Sequence, residues 1–203
     1  MKKNEINEVD YIESLGNLLA TYRSDLIYIQ SFADFKKGEI SEELFLSKKI
    51  GSFQKFINDF RVARNISKEK KHEFLKDLML WVKKGEADNV DELAKKMSKS
   101  GYTHGKVMTS LCSKVLFLNN PYEIVPIDRL AKKTLGYKGN NYSEFKLLLN
   151  QFKEDNKLKI NSYLKSVEKY LCEIEIDFNE KIQNIEIIRV NRYLDKILWT
   201  KGR

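Results

Sequence analysis

The sequence predicts an all-α protein, and three observations lead there. Only two prolines, Pro121 and Pro126, and nine glycines punctuate 203 residues, whereas a sheet protein needs many turns built from those two residues. Apolar side chains recur three and four positions apart over most of the chain, the period of a helix with one buried face. Ser, Asn or Asp words stand before several of these stretches, and Gly words stand after them, as helix starts and stops require. At this length, and 42% hydrophobic, the chain can bury a real core, and we read residues 1–203 as one helical domain.

Taken in order, the first ten residues read as frayed. A helix is expected over Tyr11–Phe35, with Ile12, Leu15, Leu18, Leu19, Tyr22, Leu26 and Ile29 on one face and Lys36-Lys37-Gly38 as its end. Ser41, followed by Glu42 and Glu43, starts a second helix carrying Leu44, Phe45, Ile50, Phe53, Phe56, Ile57 and Phe60, which read as core. Ser67 opens a third, with Phe74, Leu75, Leu78, Leu80 and Trp81 on its apolar face and Lys83-Lys84-Gly85 closing it; His72 near its start reads as solvated. Asn89 caps a short helix through Met97 that stops at Ser100-Gly101. Tyr102–Leu118 reads as a helix ended by Asn119-Asn120-Pro121. A connection over Tyr122–Pro126 leads to a helix near Ile127–Leu135, broken by Gly136 and Gly139. Ser143 starts a helix through Phe152. A long helical region from Leu158 to about Asn184 follows, then a last helix ending near Trp199. Ile174–Ile188 alone would suit a strand, but its neighbours favour helix.

Charge is unevenly spread. The net charge is +8. Residues 93–140 hold nine Lys/Arg (Lys95, Lys96, Lys99, Lys106, Lys114, Arg129, Lys132, Lys133, Lys138) against Glu123 and Asp128, and so carry nearly all of it. Such a local excess suits a polyanion, a nucleic acid above all; the alternative is a solvated basic face. No apolar run reaches membrane-spanning length, and the charged start MKKNEINEVD lacks the apolar stretch of a signal peptide. The expectation is therefore a cytoplasmic protein without membrane contact. Cys112 and Cys172 sit in apolar helical patterns and read as buried thiols, with no Cys/His cluster for a metal and no cofactor motif.

Two words carry chemistry. Ser110-Leu111-Cys112-Ser113-Lys114-Val115-Leu116-Phe117 places a lysine in an otherwise apolar helix. Ile124-Val125-Pro126-Ile127-Asp128 places an aspartate at the head of the next one, 14 residues on. The chain returns between them, so both groups could face one cleft. Leu111, Val115 and Phe117 are expected to bury that lysine in part. An aspartate at a helix start can accept from the free N–H groups of the first turn. The plain alternatives are a snorkelling Lys114 and an Asp128 that only caps its helix. His104, Lys106, Arg129, Lys132 and Lys133 are candidate phosphate contacts.

Here the sequence resembles the helix-hairpin-helix DNA glycosylase superfamily, and within it bacterial proteins with the 8-oxoguanine DNA glycosylase fold. The likeness spans roughly residues 100–137 and rests on Ser113-Lys114 and Pro126-Ile127-Asp128. It implies a helical glycosylase-like fold with an atypical hairpin. It also implies excision of a modified purine such as 8-oxoguanine, followed by strand cleavage through a Schiff base, with Lys114 as the catalytic amine and Asp128 as the catalytic carboxylate. The family's Leu-Pro-Gly-Val-Gly-type hairpin is replaced by Tyr102-Thr103-His104-Gly105-Lys106, and the Lys-to-Asp spacing is shorter than in the eukaryotic-type enzymes. Relatives of this fold also occur in bacterial anti-phage defence operons. That leaves a second expectation, a non-catalytic module binding nucleic acid or a protein partner of such a system, and a third, a helical protein meeting an acidic protein surface.

Overall fold

The computed structural model describes residues 6–60, 66, 69–83 and 89–203. Helix accounts for 71% of the described residues and no strand occurs among them, so the chain is all-α. The described helices are α1 (Glu8–Lys37), α2 (Glu42–Phe45), α3 (Phe53–Asp59), α4 (Lys71–Lys83) and α5 (Val90–Lys99), then α6 (Thr109–Asn119), α7 (Arg129–Thr134), α8 (Tyr142–Ser166), α9 (Glu168–Glu175) and α10 (Ile185–Gly202). The chain falls into two compact units, one of Met1–Leu26 with Pro121–Arg203, the other of Ile27–Asn120. Their boundary divides the stretch 100–137.

In the first unit, α1 begins on a reciprocal cap. The Asp10 N–H donates to Asn7 Oδ1 at 2.9 Å and the Asn7 N–H to Asp10 Oδ2 at 3.1 Å, which satisfies two otherwise orphaned donors. The fraying expected of the first ten residues is therefore absent from Asn7 on, and residues 1–5 lie outside the described residues. The expected stripe is buried at Leu15, Leu18, Tyr22 and Leu26, but Ile12 is exposed and Tyr11 is buried in its place. Tyr11 stacks on Tyr163 of α8 at 5.0 Å and donates to Asn156. Helix α7 packs on α10, where the Thr134 hydroxyl donates to the Leu198 carbonyl at 2.7 Å. The helix starting at Ser143 begins at Tyr142 instead, because Asn141 Oδ1 accepts from the Glu144 N–H. It runs unbroken to Ser166, past the interruption expected after Phe152. The long helical region expected to Asn184 stops at Glu175, and turns fill residues 176–184. Asn184 turns left-handed (φ 49°) before α10, a conformation that Asn tolerates better than most residues.

The second unit has an aromatic core. Phe32, Phe35, Phe45, Phe53 and Phe56 are buried, and the Phe35 and Phe45 rings stack at 4.0 Å. The expected aromatic core is therefore real, but the single helix expected from Ser41 is not. It ends at Phe45, and residues 46–52 turn, with Gly51 at φ 86°, where the left-handed conformation suits glycine; Ser52 then caps a new start by accepting from the Lys55 N–H. Ile50 in the turn and Leu44 on α2 are exposed. Leu80, expected on the apolar face of α4, is also exposed. Gly38 (φ 82°) closes α1 with paired bonds, Gly38 N–H to Phe35 O and Glu39 N–H to Asp34 O. The expected cap at Ser67 and stop at Lys84-Gly85 lie outside the described residues. No described helix is long and apolar enough to cross a membrane.

Candidate nucleic-acid interface

Helix α5 starts where the sequence places it. Asn89 Oδ1 accepts from the Glu92 N–H at 3.1 Å. Val90, Leu93, Ala94 and Met97 are buried at helical spacing, which leaves Lys95, Lys96 and Lys99 on the exposed side. The Lys96 ammonium lies 4.6 Å from the Trp81 ring centroid, a cation–π contact. Helix α6 packs on α5 through a buried face that includes Leu111, Val115 and Leu118.

The segment between them corrects the helix expected from Tyr102. Gly101, His104 and Gly105 all take positive φ, at 75°, 53° and 74°, so the chain turns there and α6 starts only at Thr109. The turn is built, not loose. Tyr102 is buried edge-on against Phe74 and donates to Asp77 Oδ2 at 2.6 Å. That bond to a carboxylate, together with burial, pushes the phenol up to about 12. Thr103 is buried, and its hydroxyl donates to the Lys106 carbonyl. Ser98 of α5 donates to the Gly105 carbonyl at 2.7 Å. His104, Gly105, Lys106 and Val107 are left exposed at the tip. The result is two packed helices joined by a tight basic turn, in the place where the sequence lacks a glycine-rich hairpin.

Lys114 lies on α6, half-buried, between the buried Ser113 and Val115. The Ser113 hydroxyl turns back onto the Ser110 carbonyl at 3.0 Å. His104, Lys106 and Lys114 thus belong to one unit, while Asp128, Arg129, Lys132 and Lys133 belong to the other.

In that other unit, Asp128 is held with care. The Asn191 side-chain amide donates to the carbonyls of Pro121 and Tyr122 at 3.0 and 2.7 Å. The Tyr142 hydroxyl accepts from the Val125 N–H at 3.1 Å and donates to the Val125 carbonyl at 3.0 Å. These clamps hold the turn at 121–123 and the segment 124–128 that leads into α7. Asp128 Oδ1 then accepts from the Ala131 N–H at 2.8 Å and caps that helix. Of the basic candidates here, Arg129 is exposed. Lys132 leans over the Tyr137 ring at 5.8 Å, and Lys133 donates to the Arg203 carbonyl at 3.2 Å. Gly136 (φ 66°) closes α7 with the same paired bonds seen after α1, to Lys133 O and from Tyr137 to Lys132 O.

The sequence reading missed a buried charge network in this unit. Arg192 and Asp25 are both 2% exposed and 2.8 Å apart, and Arg192 also reaches Asp195 at 3.1 Å. Burial alone would pull the Arg192 guanidinium down, but the two aspartates outweigh it and hold it above the ordinary arginine value. Beside it, the Tyr22 hydroxyl donates to Glu175 at 2.8 Å, and Arg189 pairs with the same carboxylate. Burial and Glu175 push the Tyr22 phenol up. The two cysteines differ from expectation. Cys112 is buried, with its thiol pushed up by desolvation, but Cys172 is exposed. Among the described residues no group of three His, Cys, Asp or Glu is placed to hold a metal ion. Compared with known proteins, the chain matches no family model, no curated protein and no solved structure.

Proposed function

We propose that this chain is a nucleic-acid-binding protein that grips a DNA backbone at the α5–α6 turn and acts as a DNA glycosylase and lyase on a modified purine. The observation that carries the binding half is the turn itself. His104 and Gly105 hold left-handed conformations at an exposed tip, with Lys99 and Lys106 exposed beside them. A non-glycine residue kept at positive φ by a pinned turn is a strained feature of the kind that clusters at functional sites. Basic side chains on such a turn suit phosphate oxygens.

The catalytic half rests on the Ser113-Lys114 and Pro126-Ile127-Asp128 words. Lys114 is the amine that attacks the sugar C1′ as the base leaves with the bonding electron pair and takes up a proton; the C1′–O4′ bond of that adduct then opens, O4′ takes a proton, and the resulting Schiff base permits elimination of the 3′ phosphate. Asp128 is the carboxylate that stabilises positive charge on the sugar. Borohydride trapping tests it. Protein is mixed with labelled single- and double-stranded DNA containing 8-oxoguanine or an abasic site, then reduced, beside Lys114→Gln and Lys106→Gln. A covalent adduct lost with Lys114→Gln alone is the expected result; an adduct lost with Lys106→Gln alone moves the chemistry to Lys106. Absence of an adduct on every substrate, from folded protein that still binds DNA, rejects the lyase reading.

One observation favours a second reading, a binding module without catalysis. Asp128 already has a structural task as the cap of α7. Retained DNA binding with no trapped adduct is its signature.

A further inference from the structure

The first unit contains a cavity that the reading above does not use. Its volume is about 370 Å³ and it lies in a groove between α8 and α10, within the range of about 300–1,000 Å³ typical of small-molecule sites. Along the α8 wall, Lys153 and Lys157 stand one helical turn apart, and Asn161 stands a further turn on. The span from Lys153 to Asn161 is roughly 12 Å at 1.5 Å per residue. The α10 wall adds Ile187 and Val190, which with Ile160 make an apolar floor, and Glu154 of α8 and Glu186 of α10 line the groove as carboxylates.

We propose that this groove binds a nucleoside monophosphate. The set of groups is the argument: two ammonium groups from Lys153 and Lys157, an apolar floor shared by Ile160 of α8 and Ile187 and Val190 of α10, and the Asn161 carboxamide one turn beyond Lys157. An anionic phosphate fits the first, the flat apolar face of a base fits the second, and the hydrogen-bonding edge of that base fits the third. Lys153 donates to Asn191 Oδ1 at 3.2 Å, which orients its ammonium and leaves further protons for a ligand. Lys157 pairs with Glu154 only at 3.5 Å, with both side chains more than 60% exposed, so a phosphate can outcompete that weak bridge. Glu186 accepts from an exocyclic amino group, which favours adenine, cytosine or guanine over uracil. The groove needs no other part of the chain, and this proposal stands apart from the lysine chemistry above.

Calorimetry of the whole chain against the 5′-monophosphates of adenosine, guanosine, cytidine and uridine, with inorganic phosphate as the bare-anion control, tests it. The expected result is saturable binding of at least one amino-bearing mononucleotide, weakened about tenfold or more by Lys157→Glu, equivalent to about 1.4 kcal/mol. Val190→Trp fills the floor and removes binding. Lys157 is a surface residue, so its variant keeps the test valid if Val190→Trp does not fold, as judged by circular dichroism. Three outcomes overturn the proposal: no mononucleotide binds at millimolar concentration, inorganic phosphate binds as tightly as the mononucleotides, or binding is the same in folded Lys157→Glu.

Discussion

Asp25 and Arg192 face each other as an ion pair in the interior of the first unit. With both side chains almost fully removed from water, deleting Asp25 takes a carboxylate from the buried Arg192 guanidinium, whose pair with Asp195 remains. Asp25→Ala is therefore expected to cost about 3–5 kcal/mol in urea denaturation, far more than loss of the exposed Arg23–Asp177 bridge, worth about 0–1 kcal/mol. Tyr102 makes a different prediction. Its phenol is pushed up to about 12, first by its bond to Asp77 and then by burial, whereas an unfolded tyrosine ionises near 10. A group whose folded value is raised contributes stability below its unfolded value and loses it as pH rises through its folded value. That contribution is fully present below pH ~10 and lost through pH ~12. Tyr102→Phe should lower stability at neutral pH by about 1 kcal/mol and flatten the loss between those limits, measured by thermal melts across alkaline pH. An unchanged alkaline slope would show that the Tyr102–Asp77 bond does not hold the turn.

Helix ends explain most boundaries in this chain, and they separate structure from chemistry at Asp128. Asn and Asp cap helices about equally well, while Ala does not. Asp128→Asn is expected to keep α7 capped and stability within a few tenths of a kcal/mol, and Asp128→Ala to lose about 1 kcal/mol. If the carboxylate also acts on a sugar, Asp128→Asn abolishes adduct formation in a fully stable protein. If it only caps, both stability and activity survive in Asp128→Asn. The same logic shows what could be read in advance. Asn89 and Asp128 were legible as caps because a short polar side chain precedes a helical pattern. Gly38 and Gly136 were legible as stops. The break over residues 46–52 was not, because Phe45, Ile50, Phe53 and Phe56 on either side of it read as one apolar pattern. Gly101 was read as a stop, yet the turn through His104 and Gly105 was missed, since Thr103 and Tyr102 are buried by partners that only packing supplies.

Charge gives the chain as a whole its clearest testable property. Most of the +8 lies in residues 93–140, and this block is shared between the two units. If it meets DNA, log affinity should fall linearly with log salt, with a slope near −0.9 per phosphate neutralised on a duplex. Reversing Lys99 and Lys106 to Glu should abolish measurable binding, judged by fluorescence anisotropy. Reversing Lys165 and Lys169, exposed elsewhere, should cost far less. Equal losses from both pairs would mean that net charge matters and the α5–α6 turn does not.

Composition and periodicity were enough to determine that this protein is all-α, because helix formation follows local rules: apolar spacing, polar caps and few breakers. They also placed Asn89, Asp128, Gly38 and Gly136 correctly, since a cap or a stop depends on residues within one turn of it. What they could not supply was any property set by neighbours distant in sequence. The Asp25–Arg192 pair joins residues 167 apart, the clamp of Asn191 on Pro121 and Tyr122 spans about 70, and the exposure of Cys172 depends on which face of α9 the fold covers. Burial and pairing are decided by which helices meet, and that meeting exists only once the chain has folded.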